Sequence, residues 1–225
     1  MKKIEELNEE DKKTLEDIFK NYPTFTERNR AFGILLSYRG YSPKKIAILF
    51  SGTGSNLAYI LEHLHQKKVE VVLTISNNPE AKGIEYAKKY NIPCVIIDSK
   101  AFSLREDFDR RVVEEIQKYN IDLSVLAGFM RILTPIFTDN IKSINLHPSL
   151  LPKFKGLKAI ERTYKSDDEF GGVSVHWVNS ELDAGEIIVQ KQISKVGLSF
   201  DEYLEQIKTI EKIALCEAIE KSLLI

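Results

Sequence analysis

The chain has 225 residues, 43% apolar and 29% charged, with 32 Lys and Arg against 33 Asp and Glu for a formal net charge of -1. That composition belongs to a globular protein with a substantial core, and it excludes the basic footprint of a nucleic-acid binder. No run approaches the roughly 18 apolar residues of a membrane span, the N-terminal MKKIEELNEEDKK lacks the apolar core of a secretion signal, and Cys94 and Cys216 make neither a zinc pattern nor a disulfide framework, so a cytoplasmic protein is expected.

Residues 1–43 read as a helical N-terminal extension. Leu15, Ile18, Phe19 and Tyr22 share one helix face, Pro23 ends that helix, and a second short helix is expected over about residues 27–38. No chemistry is legible there, so packing or an interface is the expected role. From Lys44 strands and helices alternate. KKIAILF is a strand that stops at SGTGSN. SNLAYILEHLHQKK is a helix, VEVVLTIS a strand, PEAKGIEYAKKYN a helix and IPCVIID a third strand. SLREDFDRRVVEEIQKYN opens on a predicted capping box, Ser103 to Glu106, and aligns Phe108, Val112 and Ile116 on one face. DLSVLAG and SINL are strands four and five. Such alternation predicts an α/β, Rossmann-like, mainly parallel sheet with helices on both faces. After residue 150 GGVSVHWVNS alternates with period two, and EIIVQKQISKV follows a turn at 183–185. The pair predicts an antiparallel hairpin extending the sheet. Ser199 and Glu202 cap a last helix that turns Tyr203, Ile207, Ile210 and Ala214 inward.

Two places carry chemistry. The turn 51–56 has two glycines between a strand and a helix N-terminus, whose free N–H groups form an anion site suited to a single phosphate. A dinucleotide is disfavoured, because the third glycine of that fingerprint falls at Leu57 and Asn77 and Asn78 stand where an acid is needed. A tight turn without a ligand would read the same way. The second place is SINLHPSLLP. Asn145 and His147 sit at the carboxyl end of strand five, where open α/β sheets bind ligands, and residues i and i+2 of an extended chain point to one side. An amide N–H and an imidazole aimed together suit an oxyanion, and His147 can shuttle a proton. A carboxylate is then needed nearby, and Asp183 on the hairpin turn is the best placed. His176, in the alternating strand, reads as a satisfied buried histidine. His63 and His65 point to different faces of the predicted first βα helix and make no metal pair.

SGTGSNL, AGFMRILTP, INLHPSLLP and GVSVHWVNSELDAG occur in this order and spacing. Residues 44–223 thereby closely resemble the glycinamide ribonucleotide transformylases (phosphoribosylglycinamide formyltransferases). The resemblance implies a formyltransferase fold over 44–225. It implies formyl transfer from N10-formyltetrahydrofolate to the amine of phosphoribosylglycinamide in purine biosynthesis, without a metal. By match, Asn145, His147 and Asp183 are the catalytic trio. Gly54, Ser55, Asn56 and Glu211 bind the phosphoribosyl substrate. Arg105, Met130, Arg131, Ile132 and Leu133 line the folate side. Small molecules are the implied partners, with no nucleic acid or membrane, and the protein would be a monomer or homodimer. Two features depart from the pattern: residues 1–43 are extra, and Lys158 stands where many members carry histidine. A deformylase using water, or a sugar-amine formyltransferase, would share this chassis. Pro148 speaks against the deformylase, which usually carries a second histidine there.

Overall fold

The computed structural model describes residues 8–21, 31 and 43–225. Contacts divide the chain into two units, Met1–Pro43 and Lys44–Ile225. In the first unit, α1 (Glu9–Asn21) opens on Glu9, Glu10 and Asp11 and closes on Lys20, the order that suits the helix dipole. Asn8 Oδ1 accepts the Asp11 N–H at 2.8 Å and so caps it. The helix expected over 27–38 lies outside the described residues.

The second unit runs β1 (Lys44–Phe50), α2 (Ser55–His63), β2 (Val69–Ser76), α3 (Ile84–Lys89), β3 (Cys94–Ile96), α4 (Arg105–Gln117), β4 (Leu123–Leu126), α5 (Pro135–Thr138), β5 (Ser143–His147), α6 (Ala159–Lys165), β6 (Phe170–Trp177), β7 (Ile187–Ser194) and α7 (Phe200–Leu223). The strands form one sheet in the order β3-β2-β1-β4-β5-β6-β7. Pairings from β3 to β5 are parallel, and β5–β6 and β6–β7 are antiparallel. The expected α/β sheet with its C-terminal hairpin is thus present. Among the described residues no helix is long and apolar enough to cross a membrane.

Alternation along each strand feeds two cores. Ile46, Ile48 and Phe50 of β1 join Ile144 and Leu146 of β5 and Tyr203 and Ile207 of α7 on one face. Ala47 and Leu49 join Phe108, Val112 and Ile116 of α4 and Phe137 of α5 on the other. A parallel sheet buried on both sides needs this double set of apolar residues. Strand order reverses between β1 and β4, whose carboxyl ends are level at Leu49 and Leu126. The crevice beyond that reversal is where ligands bind in such sheets. Asn145 pairs with Leu126 one strand further on.

Several elements differ from the expectation. The first βα helix ends at His63, because the Leu64 carbonyl accepts N–H groups of Lys67, Lys68 and Val69 and Gln66 turns left-handed at φ 57°. His65 therefore lies beyond the helix, buried, where Nδ1 accepts the Val71 N–H at 3.1 Å. The next helix begins only at Ile84, since Asn78 Oδ1 accepts the Glu80 N–H and holds a turn there. The third strand is cut to Cys94–Ile96, where Asp98 caps a short 3-10 turn. Cys94, at the start of that strand, is half-buried. Ser103 does not cap α4; Leu104 holds the cap position without a side-chain bond. Short helices α5 and α6 were not anticipated. The Ser199–Glu202 capping box of α7 is complete.

Phe108 is fully buried, edge-on to Phe102 and stacked near Phe129. Phe108→Ala leaves a cavity beneath the crevice and lowers unfolding free energy by about 3–5 kcal/mol. Urea denaturation measures it, and a loss under about 1 kcal/mol would show the ring is not packed as described.

Candidate active site

The glycine turn is built by close backbone packing. Gly54 holds φ +72°, and a Cβ on it would lie 2.4 Å from Gly83 Cα. The Gly83 N–H donates to the Gly52 carbonyl at 3.1 Å, so the start of α3 braces the turn. No side chain caps α2, which leaves the first-turn N–H groups at Ser55 and Asn56 to an anion. Asn56 Nδ2 donates to Glu211 Oε2 at 3.5 Å across 155 positions of sequence. Buried Asn56 Oδ1 has no partner among the described residues. Burial pushes the Glu211 carboxyl up, against the opposing pull of Asn56, Lys208 and Lys212. Gly54, Ser55, Asn56 and Glu211 thus meet at one end of the crevice. An orphaned amide oxygen and a half-desolvated acid there suit the hydroxyl groups of a sugar phosphate.

Asn145, His147 and Asp183 also meet. Asn145 and His147 are the third and last residues of β5, on the face away from Ile144 and Leu146. Asp183 sits in the β6–β7 connection at φ 48°, a left-handed geometry that aspartate tolerates better than most residues. The turn is forced by Gly185, where a Cβ would stand 1.7 Å from the Trp177 carbonyl. Asp183 Oδ2 accepts the Gly156 N–H at 2.8 Å and lies 3.3 Å from His147 Nδ1. Oδ1 accepts from Asn145 Nδ2 at 3.4 Å and lies 3.6 Å from His176 Nε2. His147, Asp183 and His176 are all buried. Burial works to raise the Asp183 carboxyl, yet the His176 ring, the Gly156 N–H and the charge of His147 overcome it and hold it below the usual carboxylate range.

His176 was not counted among the site residues from sequence. It is buried and satisfied as expected, but it also belongs to this cluster. Its Nδ1 donates to the Trp177 carbonyl at 2.8 Å, and its Nε2 lies 3.3 Å from Asn145 Nδ2 and 3.6 Å from Asp183 Oδ1. The signal lay in strand pairing, because Asn145 stands opposite His176. The loop 153–158 was missed as well. Its Phe154 carbonyl accepts from His147 Nε2 at 3.0 Å. Lys158 is exposed and left-handed at φ 55° at the start of α6. A cavity of about 390 Å³ opens beside Asp183, lined by Leu151, Pro152, Lys155, Glu181, Ala184 and Gly185 among others.

Segment 130–133 follows β4 at the same edge of the sheet. Met130 is 72% and Ile132 54% exposed, while Leu133 packs on the core. Leu104, just before α4, is 58% exposed. The Arg131 guanidinium lies 4.9 Å over the Phe108 ring, and its buried Nε has no partner among the described residues. Buried Asp109 accepts both the N–H and the hydroxyl of Thr134, which ties this segment to α4. Arg105 is the first residue of α4 and is exposed. Bare apolar side chains beside two arginines suit a flat aromatic ligand that carries carboxylates.

Residues 44–219 match the family described as formyl transferase. The chain belongs to that family. This formyl transferase is 39% identical over 171 residues to the phosphoribosylglycinamide formyltransferase of Escherichia coli, covering 74% of this chain and 81% of that one. A crystal structure of phosphoribosylglycinamide formyltransferase from Campylobacter jejuni superposes with a TM-score of 0.79 at 50% identity, covering 81% of this chain and 98% of that chain. The trifunctional purine biosynthetic protein adenosine-3 of Chironomus tentans is 39% identical over 183 residues, which are 78% of this chain but 13% of that protein.

Two titrations follow from the site. Glu211 is held above its usual value of 4.5, so it opposes folding once pH rises through its folded pKa. Glu211→Gln is therefore more stable than the parent at pH 7, and the gain vanishes in acid below the unfolded value; equal melting points at pH 7 would contradict this. Asp183 behaves oppositely. Its carboxylate stabilises the fold above the unfolded value of 3.8, and that support disappears as pH falls through the lower folded value. Asp183→Asn melts below the parent at pH 7 and converges on it in acid, once pH has fallen below the folded value, as differential scanning calorimetry across pH will show; a gap that persists there would contradict the assignment.

Proposed function

We propose that this formyl transferase moves a formyl group from N10-formyltetrahydrofolate to the amine of 5-phosphoribosylglycinamide, in purine biosynthesis. The observation that carries the reading is that the Asn145 amide and the His147 ring both face the single carboxylate of Asp183, the ring as a donor once it carries its second proton. Two donors that converge on one anionic group can converge equally on a substrate oxygen that becomes negative beside it. At 3.4 and 3.3 Å these contacts exceed the about 2.7–2.9 Å of a mature charge-assisted hydrogen bond, so neither donor is fully committed to Asp183.

The substrate enters with its phosphate on the first-turn N–H groups of α2, from Gly54 through Asn56, and its ribose toward Glu211. The formyl donor lies along Arg105 and Met130–Leu133. The amine attacks the formyl carbon, and the carbonyl oxygen becomes negative. Asn145 Nδ2 and the His147 N–H on the Asp183 side take that oxygen. The Phe154 carbonyl holds the other His147 nitrogen and so sets the ring plane. Asp183 balances the imidazole when it carries a second proton, and it passes the proton lost by the amine toward the departing folate nitrogen. No covalent enzyme intermediate is needed. The relatives' names and the fit of the two ends of the crevice support the same reading.

A spectrophotometric assay tests it. Purified protein receives N10-formyltetrahydrofolate with and without the ribonucleotide. Release of deformylated folate should require the ribonucleotide; release without it would make water the acceptor and the enzyme a deformylase. His147→Ala should lower kcat by about 10²–10⁴-fold, the usual worth of a positioned acid–base group. A variant within tenfold of the parent would remove His147 from the mechanism.

A further inference from the structure

The loop 153–158 supplies two backbone groups to the buried cluster: the Phe154 carbonyl on His147 and the Gly156 N–H on Asp183. Its own shape is unfavourable. Phe154, Gly156 and Lys158 all hold left-handed backbone, at φ 57°, 78° and 55°, and two of them carry a Cβ. Such a run persists only where its surroundings impose it. The start of the loop is anchored by Ser149 Oγ, which donates to the Lys153 carbonyl at 2.6 Å. The middle has less. Lys155 Nζ reaches Glu181 at 3.4 Å, but Glu181 is exposed and the pair is solvated.

One side chain gathers the middle of the loop. Arg162 Nη1 donates to the Lys155 carbonyl at 2.7 Å and reaches the Leu157 carbonyl at 3.4 Å. The same guanidinium lies 5.7 Å from the Phe154 ring centre. Arg162 stands on a firm post. Its helix α6 buries Ala159 and Thr163, and Lys195 Nζ donates to the carbonyls of Thr163, Tyr164 and Ser166 at the end of that helix. Tyr164 also donates to the Leu198 carbonyl at 2.9 Å. One arginine nitrogen thus bridges two alternate carbonyls of the loop, a fixed geometry that a planar guanidinium supports.

We infer that Arg162 is a positioning residue, whose guanidinium clamps loop 153–158 so that Phe154 and Gly156 orient His147 and Asp183. The inference rests on the formyl-transfer reading for its effect on rate, but not for its effect on the loop. Arg162 touches no reacting atom. Its removal shifts the imidazole and the carboxylate together and slows the chemical step, while the phosphate end of the crevice is untouched.

The test uses the full chain with Arg162→Met, which keeps the stem and loses the donors, and Arg162→Lys, which keeps the charge and part of the reach. Readouts are kcat, KM for each substrate, the thermal midpoint, and the rate of tryptic cleavage after Lys155 and Lys158. Arg162→Met should lower kcat by about 10- to 100-fold, the scale of a small misplacement in a reacting site. KM for the ribonucleotide and the thermal midpoint should stay near the parent, and the loop should be cut faster. Arg162→Lys should recover part of each change. Loop cleavage no faster than in the parent overturns the proposal, as does a parental kcat in Arg162→Met, or a fall in kcat that tracks a lowered midpoint. If the parent chain itself shows no transfer, the functional reading fails, and the cleavage rates still decide whether Arg162 holds the loop.

Discussion

Everything at the site depends on one buried carboxylate. Asp183 lies among two imidazoles, an amide and a backbone N–H, and each of its oxygens has donors from more than one part of the chain. A charge placed out of water must be paired and hydrogen-bonded, or it takes up a proton instead. Here enough donors arrive to keep it ionised below the usual carboxylate range. The same requirement ties together β5, β6, the β6–β7 turn and loop 153–158. None of these can move far without stranding the charge.

The sheet explains how such a cluster can face a phosphate site. Strand order reverses between β1 and β4, so the loops beyond them diverge and leave a crevice. The glycine turn lines one wall, the segment after β4 the next, and the ends of β5 the third. Ser51 stitches the first two, accepting the Met130 N–H at 2.7 Å through its hydroxyl and donating its own N–H to the Gly128 carbonyl at 3.1 Å. An antiparallel β6 then brings His176 level with Asn145 and carries the chain back over the same edge to Asp183.

The site is held at some cost to the fold. Asp183, Phe154 and Lys158 adopt left-handed backbone, Glu211 resists ionisation, and Asn56 and Arg131 keep buried polar atoms without partners among the described residues. Each of these is unfavourable in a resting protein and useful to one that must receive a ligand. They cluster at the crevice, whereas the two cores beneath it are apolar and closely packed.

Period and punctuation in the sequence were enough for the strands, the sheet type, the hairpin and the α7 capping box, because these depend on residues near one another in the chain. The pairing of Asn145 with His147 was legible for the same reason: i and i+2 share a face wherever the chain is extended. Helix ends at His63 and Ile84, and the unused cap at Ser103, were not legible. Backbone carbonyls and side chains of neighbouring loops decide them, and local propensity does not see those partners. His176 and Arg162 show the larger limit. Nothing in VSVHWV or AIERTYK announces a site, and each acquires its part only when strand register or helix docking sets it against a distant segment. Only the tertiary structure could decide that Asn145 shares Asp183 with two histidines and a loop N–H, since a buried charge collects its donors from whatever the fold brings within reach.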